Sequence, residues 1–83
     1  MTSFTQEDTT NKILTIIAEK LNINKQNIKS TATLQDLGAD SLDLVEIIMK
    51  LEEQFHVEIA DEDVAHLNSV EEVVTYIHRH RTK

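Results

Sequence analysis

The feature that most restricts the fold of this chain is its lack of helix-breaking residues. Its 83 residues contain no proline and one glycine, Gly38. In most folds, proline and glycine mark the turns and loops between helices and strands. In addition, no strand-like alternation of apolar and polar residues persists along the chain. Residues 1–83 therefore predict one small all-α domain. We expect a bundle of three main helices and one short helix, with a long loop between the first and the second.

Apolar spacing and capping residues place the three main helices. Residues 5–21 carry one apolar stripe at helical spacing, and Thr5 with Asp8 resembles a capping box at the start. Asn22 suits the left-handed conformation that ends many helices. Residues 41–55 form the second helix. Ser69 and Glu72 match the capping box with which the last helix begins. Positive charge that complements the helix dipole follows at its far end: Arg79, Arg81 and Lys83.

The segment between the first two helices, residues 23–40, shows no sustained period. A loop of this length in a small domain is usually functional or held by its own side chains. A short helical turn is expected at 25–28, and the brief third helix spans 61–65, with Asp61 as its candidate N-cap. Four apolar residues are available to hold the loop: Ile23, Ile28, Leu34 and Leu37.

Composition excludes several classes of function. The chain has no cysteine, so disulfides, thiolate chemistry and cysteine-based zinc sites are excluded. The spacing of the histidines does not predict a metal site. No apolar run approaches the roughly 20 residues that span a bilayer, and the first residues lack the features of a secretory signal. We therefore expect a cytoplasmic monomer that does not insert into membranes.

Acidic charge is concentrated in one part of the chain. The net charge is -7, and residues 36–63 hold ten acidic residues against one base, Lys50. A surface of this kind repels the phosphates of nucleic acid, which excludes nucleic acid as a partner. Its natural complement is a basic patch on another protein, although acidic surfaces also favour solubility without any partner.

The second helix shows two apolar faces when its residues are placed about 100° apart around the axis. One face is expected to be buried in the core: Leu44, Ile47, Ile48, Leu51 and Phe55. A second stripe lies on the other side: Leu42, Val45 and Met49. Acidic residues surround this stripe: Asp43, Glu46, Glu52 and Glu53. An apolar centre with a charged rim is typical of a docking surface, but a loop folded over the stripe would also explain it.

The segment 36–43, Asp-Leu-Gly-Ala-Asp-Ser-Leu-Asp, precedes and starts the second helix. Gly38 indicates a turn with positive φ, Asp40 is positioned to cap the helix, and Asp43 is expected in its first turn. Ser41 then occupies the first helical position with its hydroxyl exposed. It is a helix-start serine only, a catalytic nucleophile, or an attachment point for a phosphate-linked group, which helix N-termini favour. A nucleophile is disfavoured because the glycine-flanked elbow and a neighbouring histidine are missing from the sequence here.

This segment, with Val45-Glu46 and the run 51–55 after it, resembles the acyl carrier proteins of bacterial fatty acid synthesis. The similarity covers nearly the whole chain. It implies that Ser41 carries 4'-phosphopantetheine, donated by coenzyme A, and that acyl intermediates are held as thioesters on its thiol. The chain itself is then a carrier and not an enzyme. The resemblance further suggests that acyl chains enter between the helices, against a lining of Leu51, Ile59 and Val73 or Ile77.

The resemblance also implies partners, namely a phosphopantetheinyl transferase and fatty acid synthesis enzymes with basic patches. It assigns their binding to eight residues at the start and along the second helix: Asp40, Leu42, Asp43, Val45, Glu46, Met49, Glu52 and Glu53. The chain departs from the family pattern at Ala60, where a proline is common, and at Lys50, which adds a positive charge beside the stripe. Two other functions stay open. These are an unmodified scaffold that binds a basic partner, and a carrier for a specialised pathway such as polyketide or aminoacyl transfer.

Overall fold

The structure, a computed structural model, describes residues 5–81 of the chain. This part of the chain folds into four α-helices joined by loops. Their bounds are α1 Gln6–Leu21, α2 Ser41–Phe55, α3 Asp61–Val64 and α4 Val70–His80, with a 3₁₀ turn at Lys25–Asn27. The predicted all-α class, the three main helices and the long loop are confirmed. None of these helices combines the length and the apolar character needed to cross a membrane.

The ends of α1 are set by the residues that the sequence indicated. The Thr5 side chain accepts a hydrogen bond from the backbone N–H of Asp8 at 3.0 Å and so caps the first turn. Asn22 closes the helix in the left-handed conformation, with φ 56° and ψ 47°, and its N–H donates to the carbonyl of Ala18. Asparagine tolerates this conformation because its short polar side chain can bond locally.

The start of α4 is the predicted capping box. The Ser69 hydroxyl accepts from the backbone N–H of Glu72 at 3.3 Å, and the Glu72 carboxylate accepts from the backbone N–H of Ser69 at 3.0 Å. The Glu72 carboxylate also accepts from the Ser69 hydroxyl at 3.1 Å. The hydrogen bonds that this carboxylate accepts, first from the backbone and then from the side chain of Ser69, lower the pKa of Glu72. Two backbone donors at the helix end are thereby satisfied within the helix itself.

The start of α3 differs from the prediction. Asp61 is not its N-cap: the N-cap is Ala60, which has no side-chain acceptor, and Asp61 lies in the first helical turn. The extended φ and ψ of Ala60, -66° and 147°, let its carbonyl begin the helix without a cap. Instead, the Tyr76 hydroxyl on α4 donates to the Asp63 carboxylate at 2.9 Å and holds this short helix from the side. Burial of the hydroxyl, together with this hydrogen bond, raises the pKa of Tyr76.

The core lies between the three main helices, with α1 packed against both α2 and α4. Its most deeply buried side chains come from all three: Ile13 and Ile17, Ile47, Leu51 and Phe55, and Val73 and Ile77. Four of the five residues predicted for the core face of α2 are buried, and Leu44 is half-buried. Each main helix therefore buries one apolar face, and these faces together form the core of the bundle.

The long loop is held by side chains and by backbone hydrogen bonds. Ile28 and Leu34 are buried in the core, whereas Ile23 and Leu37 pack against it and stay partly exposed. The N–H of Leu34 donates to the carbonyl of Asn68 at 3.1 Å, and the N–H of Val70 donates to the carbonyl of Ala32 at 2.9 Å. These bonds fix the loop to the start of α4, so its path towards α2 is defined.

Arg81 makes contacts that the sequence did not indicate. It follows the last turn of α4 as the C-cap residue, and its side chain is almost fully buried against α1. Its guanidinium donates to the Asp8 carboxylate at 3.1 Å and to the Thr9 hydroxyl at 2.9 Å. It also lies 4.8 Å from the centre of the Phe55 ring. Arg81 therefore joins all three main helices. Lys83, for which a dipole interaction was also expected, lies outside the described residues.

We expect replacement of Arg81 by methionine to lower the free energy of unfolding by about 2 kcal/mol, because charged hydrogen bonds and a cation–π contact are lost at a buried site. Urea denaturation followed by circular dichroism measures this. Arg79→Met is the matched control, since Arg79 is exposed on the same helix. Equal denaturation midpoints for the two variants would contradict the assignment.

Candidate functional site

A tight turn at Gly38 directs the chain into α2. Gly38 has φ 98°, a value that side chains of L-amino acids rarely adopt. The turn is closed by two hydrogen bonds of 3.0 Å, from the N–H of Gly38 to the carbonyl of Gln35 and from the N–H of Ala39 to the carbonyl of Leu34. A Cβ at Gly38 would meet no atom within 4 Å. Backbone conformation and not space therefore requires the glycine, as the sequence predicted.

Two aspartates fix the N-terminus of α2. The Asp40 carboxylate accepts from the backbone N–H of Asp43 at 2.9 Å, and the Asp43 carboxylate accepts from the backbone N–H of Asp40 at 3.3 Å. The sequence predicted the cap by Asp40 and the place of Asp43 in the first turn; the structure adds the return bond. Both carboxylates are therefore held at the end of the helix next to Ser41.

Ser41 is the first residue of α2, and its side chain is exposed. The first N–H groups of a helix have no intrahelical acceptor, so the backbone of Ser41 and Leu42 presents donors at this end. The positive end of the helix dipole adds to them. The geometry suits an attached anion and leaves the hydroxyl open to an enzyme.

A groove of about 550 Å³ opens beside Ser41. It is lined by Thr33, Leu34, Gln35, Ala39, Asp40, Ser41, Leu44, Leu67 and Asn68. This lining includes no histidine, and its one carboxylate, Asp40, caps the helix. A catalytic nucleophile needs a base within hydrogen-bond reach, so the groove argues against that role for Ser41.

The expected acyl lining is different from the groove that the structure shows. Leu51, Ile59, Val73 and Ile77 are all buried in the core, and none of them lines the groove at Ser41. Apart from Leu44 of α2, the large apolar side chains that line this groove come from the long loop and from the segment before α4, namely Leu34 and Leu67. The sequence signal for them was weak, because each stands alone in a segment without helical periodicity.

The second apolar stripe of α2 is open. Leu42 is 67% exposed, and Val45 and Met49 are each 55% exposed. The alternative that the long loop covers this stripe is therefore wrong. Large apolar side chains this exposed and arranged on one helix face are typical of an interaction site.

The acidic residues around the stripe differ in what they contact. Glu46 forms an ion pair with Lys20 of α1. The Glu52 carboxylate accepts from the backbone N–H of Ile59 at 2.9 Å and so holds the chain between α2 and α3. Glu53 is exposed on α2. Of the rim carboxylates, Glu53 is thus the one best placed to meet a partner directly.

Lys20 was not singled out from the sequence. It lies in the last turn of α1. Its hydrogen bond to Glu46, with the charges of Glu46, Asp43 and Asp40, raises the pKa of Lys20. A lysine at a helix C-terminus is common for electrostatic reasons alone, so its position did not indicate this contact.

Among residues 5–81, the structure shows no group of three or more histidine, aspartate or glutamate side chains close enough to hold a metal ion. The histidine on α4 nearest to the core, His78, lies 2.8 Å from the Thr9 hydroxyl through its Nδ1 atom. His80 stacks on the Tyr76 ring at 4.3 Å between ring centres. These two histidines contribute to packing between and along the helices.

Comparison with known proteins agrees with this geometry. The sequence profile of the phosphopantetheine attachment site family matches residues 11–77. An acyl carrier protein from Clostridium perfringens is 49% identical over 73 residues, which are 87% of this chain and 96% of that protein. The chain belongs to the acyl carrier protein family. Proteins of this family carry a phosphopantetheine group and are not enzymes, so the chain is a non-catalytic carrier.

Solved structures of acyl carrier proteins share the fold. A solution structure from Anaplasma phagocytophilum, described as an acyl carrier protein, matches with a TM-score of 0.83 and 35% identity over 95% of this chain and 94% of that one. The acyl carrier protein from Enterococcus faecalis matches with a TM-score of 0.79 and 31% identity over 93% and 99% of the two chains. The bundle and its long loop are therefore those of an acyl carrier protein.

We expect Gly38→Ala to lower the free energy of unfolding by about 1 kcal/mol or more, because alanine is strained at a positive φ. Thermal and urea denaturation measure the loss. Gln35→Ala, an exposed change in the same turn, serves as the control. If the two variants were equally stable, the backbone requirement at Gly38 would be refuted.

Proposed function

We propose that Ser41 is the residue to which 4'-phosphopantetheine is attached, and that the chain presents acyl intermediates of fatty acid synthesis to successive enzymes. One observation carries the first part. The Ser41 hydroxyl is exposed at the first residue of α2. Ser41 follows the Gly38 turn and lies between the two capping residues, Asp40 and Asp43. This is the only serine at a helix start in the segment that resembles the family motif.

The residues at this site suit a phosphodiester on Ser41. The backbone N–H groups at the start of α2 and the helix dipole offset its negative charge. Asp40 and Asp43 oppose it, but each carboxylate accepts a hydrogen bond from the other residue's backbone, which moderates that repulsion. The attached group supplies a thiol on which acyl chains are held as thioesters.

The groove beside Ser41 supports an acyl cargo. Leu34, Ala39 and Leu67 are buried beneath it and offer apolar surface close to the attachment point. An apolar chain that leaves water for such a surface is stabilised by roughly 25 cal/mol for each Å² that it buries. The long loop and the segment before α4, joined by backbone hydrogen bonds, would form its walls.

We infer that α2 is the recognition face for a phosphopantetheinyl transferase and for enzymes with basic patches. Its centre is the exposed stripe of Leu42, Val45 and Met49, where the thioether of Met49 can adapt to several partners. Its rim is acidic, with Asp40, Asp43, Glu46, Glu52 and Glu53. Charge complementarity favours a basic protein surface as the occupant. We propose that the chain acts as a cytoplasmic, monomeric, single-domain carrier.

Incubation of the apo chain with coenzyme A and a phosphopantetheinyl transferase should raise its intact mass by one phosphopantetheinyl group. Ser41→Ala should remain folded and show no mass increase, because the hydroxyl that forms the phosphoester is gone. Ser30→Ala is the control, an exposed serine in the loop whose loss should leave modification intact. Modification that persists in Ser41→Ala would refute the attachment site.

We expect Glu53→Lys to lower kcat/KM of that modification about three- to tenfold at low salt, since an attraction to a basic partner becomes a repulsion. The loss should shrink as salt screens the charges. Glu71→Lys makes the same charge change at an exposed position of α4 and should have a much smaller effect. Equal effects of the two reversals would show that net charge matters and that α2 is not the docking face.

The intact mass of protein isolated from its native source distinguishes the remaining alternatives. A mass that includes the arm and an acyl group of fatty acid type supports the proposal. A polyketide or aminoacyl group on the arm would indicate a specialised pathway. Unmodified protein that co-purifies with one fixed partner would indicate a scaffold.

A further inference from the structure

The recognition face contains a positive charge that comes from a different helix. Lys20 at the end of α1 is ion-paired with Glu46 on α2, and it also feels the charges of Asp43 and Asp40. The side chains of Lys20 and Glu46 are 27% and 44% exposed. The pair is therefore accessible to a docking protein and is not a buried structural ion pair.

We propose that Lys20 acts as an internal competitor for basic partners, occupying Glu46 and thereby setting how tightly the recognition face binds and which partners it prefers. This inference rests on the proposed function of α2 as the docking surface. It adds a specificity-determining residue that lies outside that helix.

The competition follows from electrostatics. An arginine or lysine of a partner that approaches Glu46 must displace Lys20 or meet its charge, and like charges at contact distance oppose binding. Exposed ion pairs are individually weak, so displacement is feasible but reduces the gain from the new contact. Glu53 has no such lysine in the described ion pairs of residues 5–81, so a partner that contacts it displaces no ion pair of the chain.

The arrangement also predicts the partner surface that fits best. Such a surface places a basic side chain opposite Glu53 and a neutral or acidic side chain opposite Lys20. A uniformly basic patch is disfavoured by Lys20, which is a repulsive element of the kind that gives interfaces their selectivity. Enzymes with such mixed surfaces are therefore expected to be the preferred partners.

The test uses the full-length apo chain, a phosphopantetheinyl transferase with a basic docking patch, and coenzyme A. Lys20→Gln should raise kcat/KM about two- to fivefold at low salt, mainly through a lower KM, and the gain should fall as salt is added. Lys12→Gln is the matched control. It removes the same charge from the same helix about 12 Å away, where Lys12 pairs with Asp8.

A double-mutant cycle separates competition from general charge. In the wild-type background Glu46→Gln should change kcat/KM by less than about twofold, since Lys20 already occupies that carboxylate. In the Lys20→Gln background the same change should cost about two- to fivefold. Additive effects would overturn the proposal.

The remaining outcomes are also decisive. Loss of modification in the wild-type chain would refute the proposed function itself. Normal modification of the wild type, with Lys20→Gln folded but no faster than Lys12→Gln, would overturn the role of Lys20 alone. If Lys20→Gln is unfolded by circular dichroism, Lys20→Met, which keeps the aliphatic stem, takes its place, and the same gain is required of it.

Discussion

The reciprocal capping of α2 is the constraint on which the site depends. Asp40 and Asp43 each accept a backbone N–H from the other, so the first turn cannot fray without breaking both bonds. The turn before it exists because Gly38 adopts φ 98°. Together they hold Ser41 at one point, with its hydroxyl exposed and with backbone donors beside it. Under the proposed attachment at Ser41, a reactive thiol at the end of a long flexible arm would have such a fixed origin, which suits a carrier that does no chemistry of its own.

The two faces of α2 divide the work of the helix. Ile47, Leu51 and Phe55 are almost completely buried on one face, which anchors the helix in the core. Arg81 strengthens this packing through contacts that the sequence did not indicate. Its guanidinium lies over the Phe55 ring and donates to Asp8 and Thr9. With one face secured, the opposite face can leave three large apolar side chains in water without loss of the fold. Exposure that would be a liability in an isolated helix thus becomes available for binding.

Much of this arrangement could be predicted from local sequence. Helix bounds follow from Thr5, Asn22 and Ser69 because capping acts within a few residues along the chain. Prediction failed where the deciding contact is distant in sequence. Asp61 resembles a cap, yet α3 begins at Ala60 and is held by Tyr76 from α4. Arg81 was expected at the end of the α4 dipole, but its hydrogen bonds to Asp8 and Thr9 of α1 were missed. The groove at Ser41 combines Leu34 with Leu67, and no periodicity joins those two segments.

The same argument applies to the acidic residues of the proposed recognition face. The sequence suggests that these carboxylates form one rim, but in the structure they make different contacts. The Asp43 carboxylate accepts from the backbone N–H of Asp40, the Glu52 carboxylate accepts from that of Ile59, and Glu46 is paired with Lys20. A carboxylate already engaged attracts a partner less strongly than its formal charge suggests, since a new contact must replace an existing one. The strength of such a surface therefore depends less on how many acids it holds than on which of them are unengaged, and net charge alone is a poor guide to partner choice.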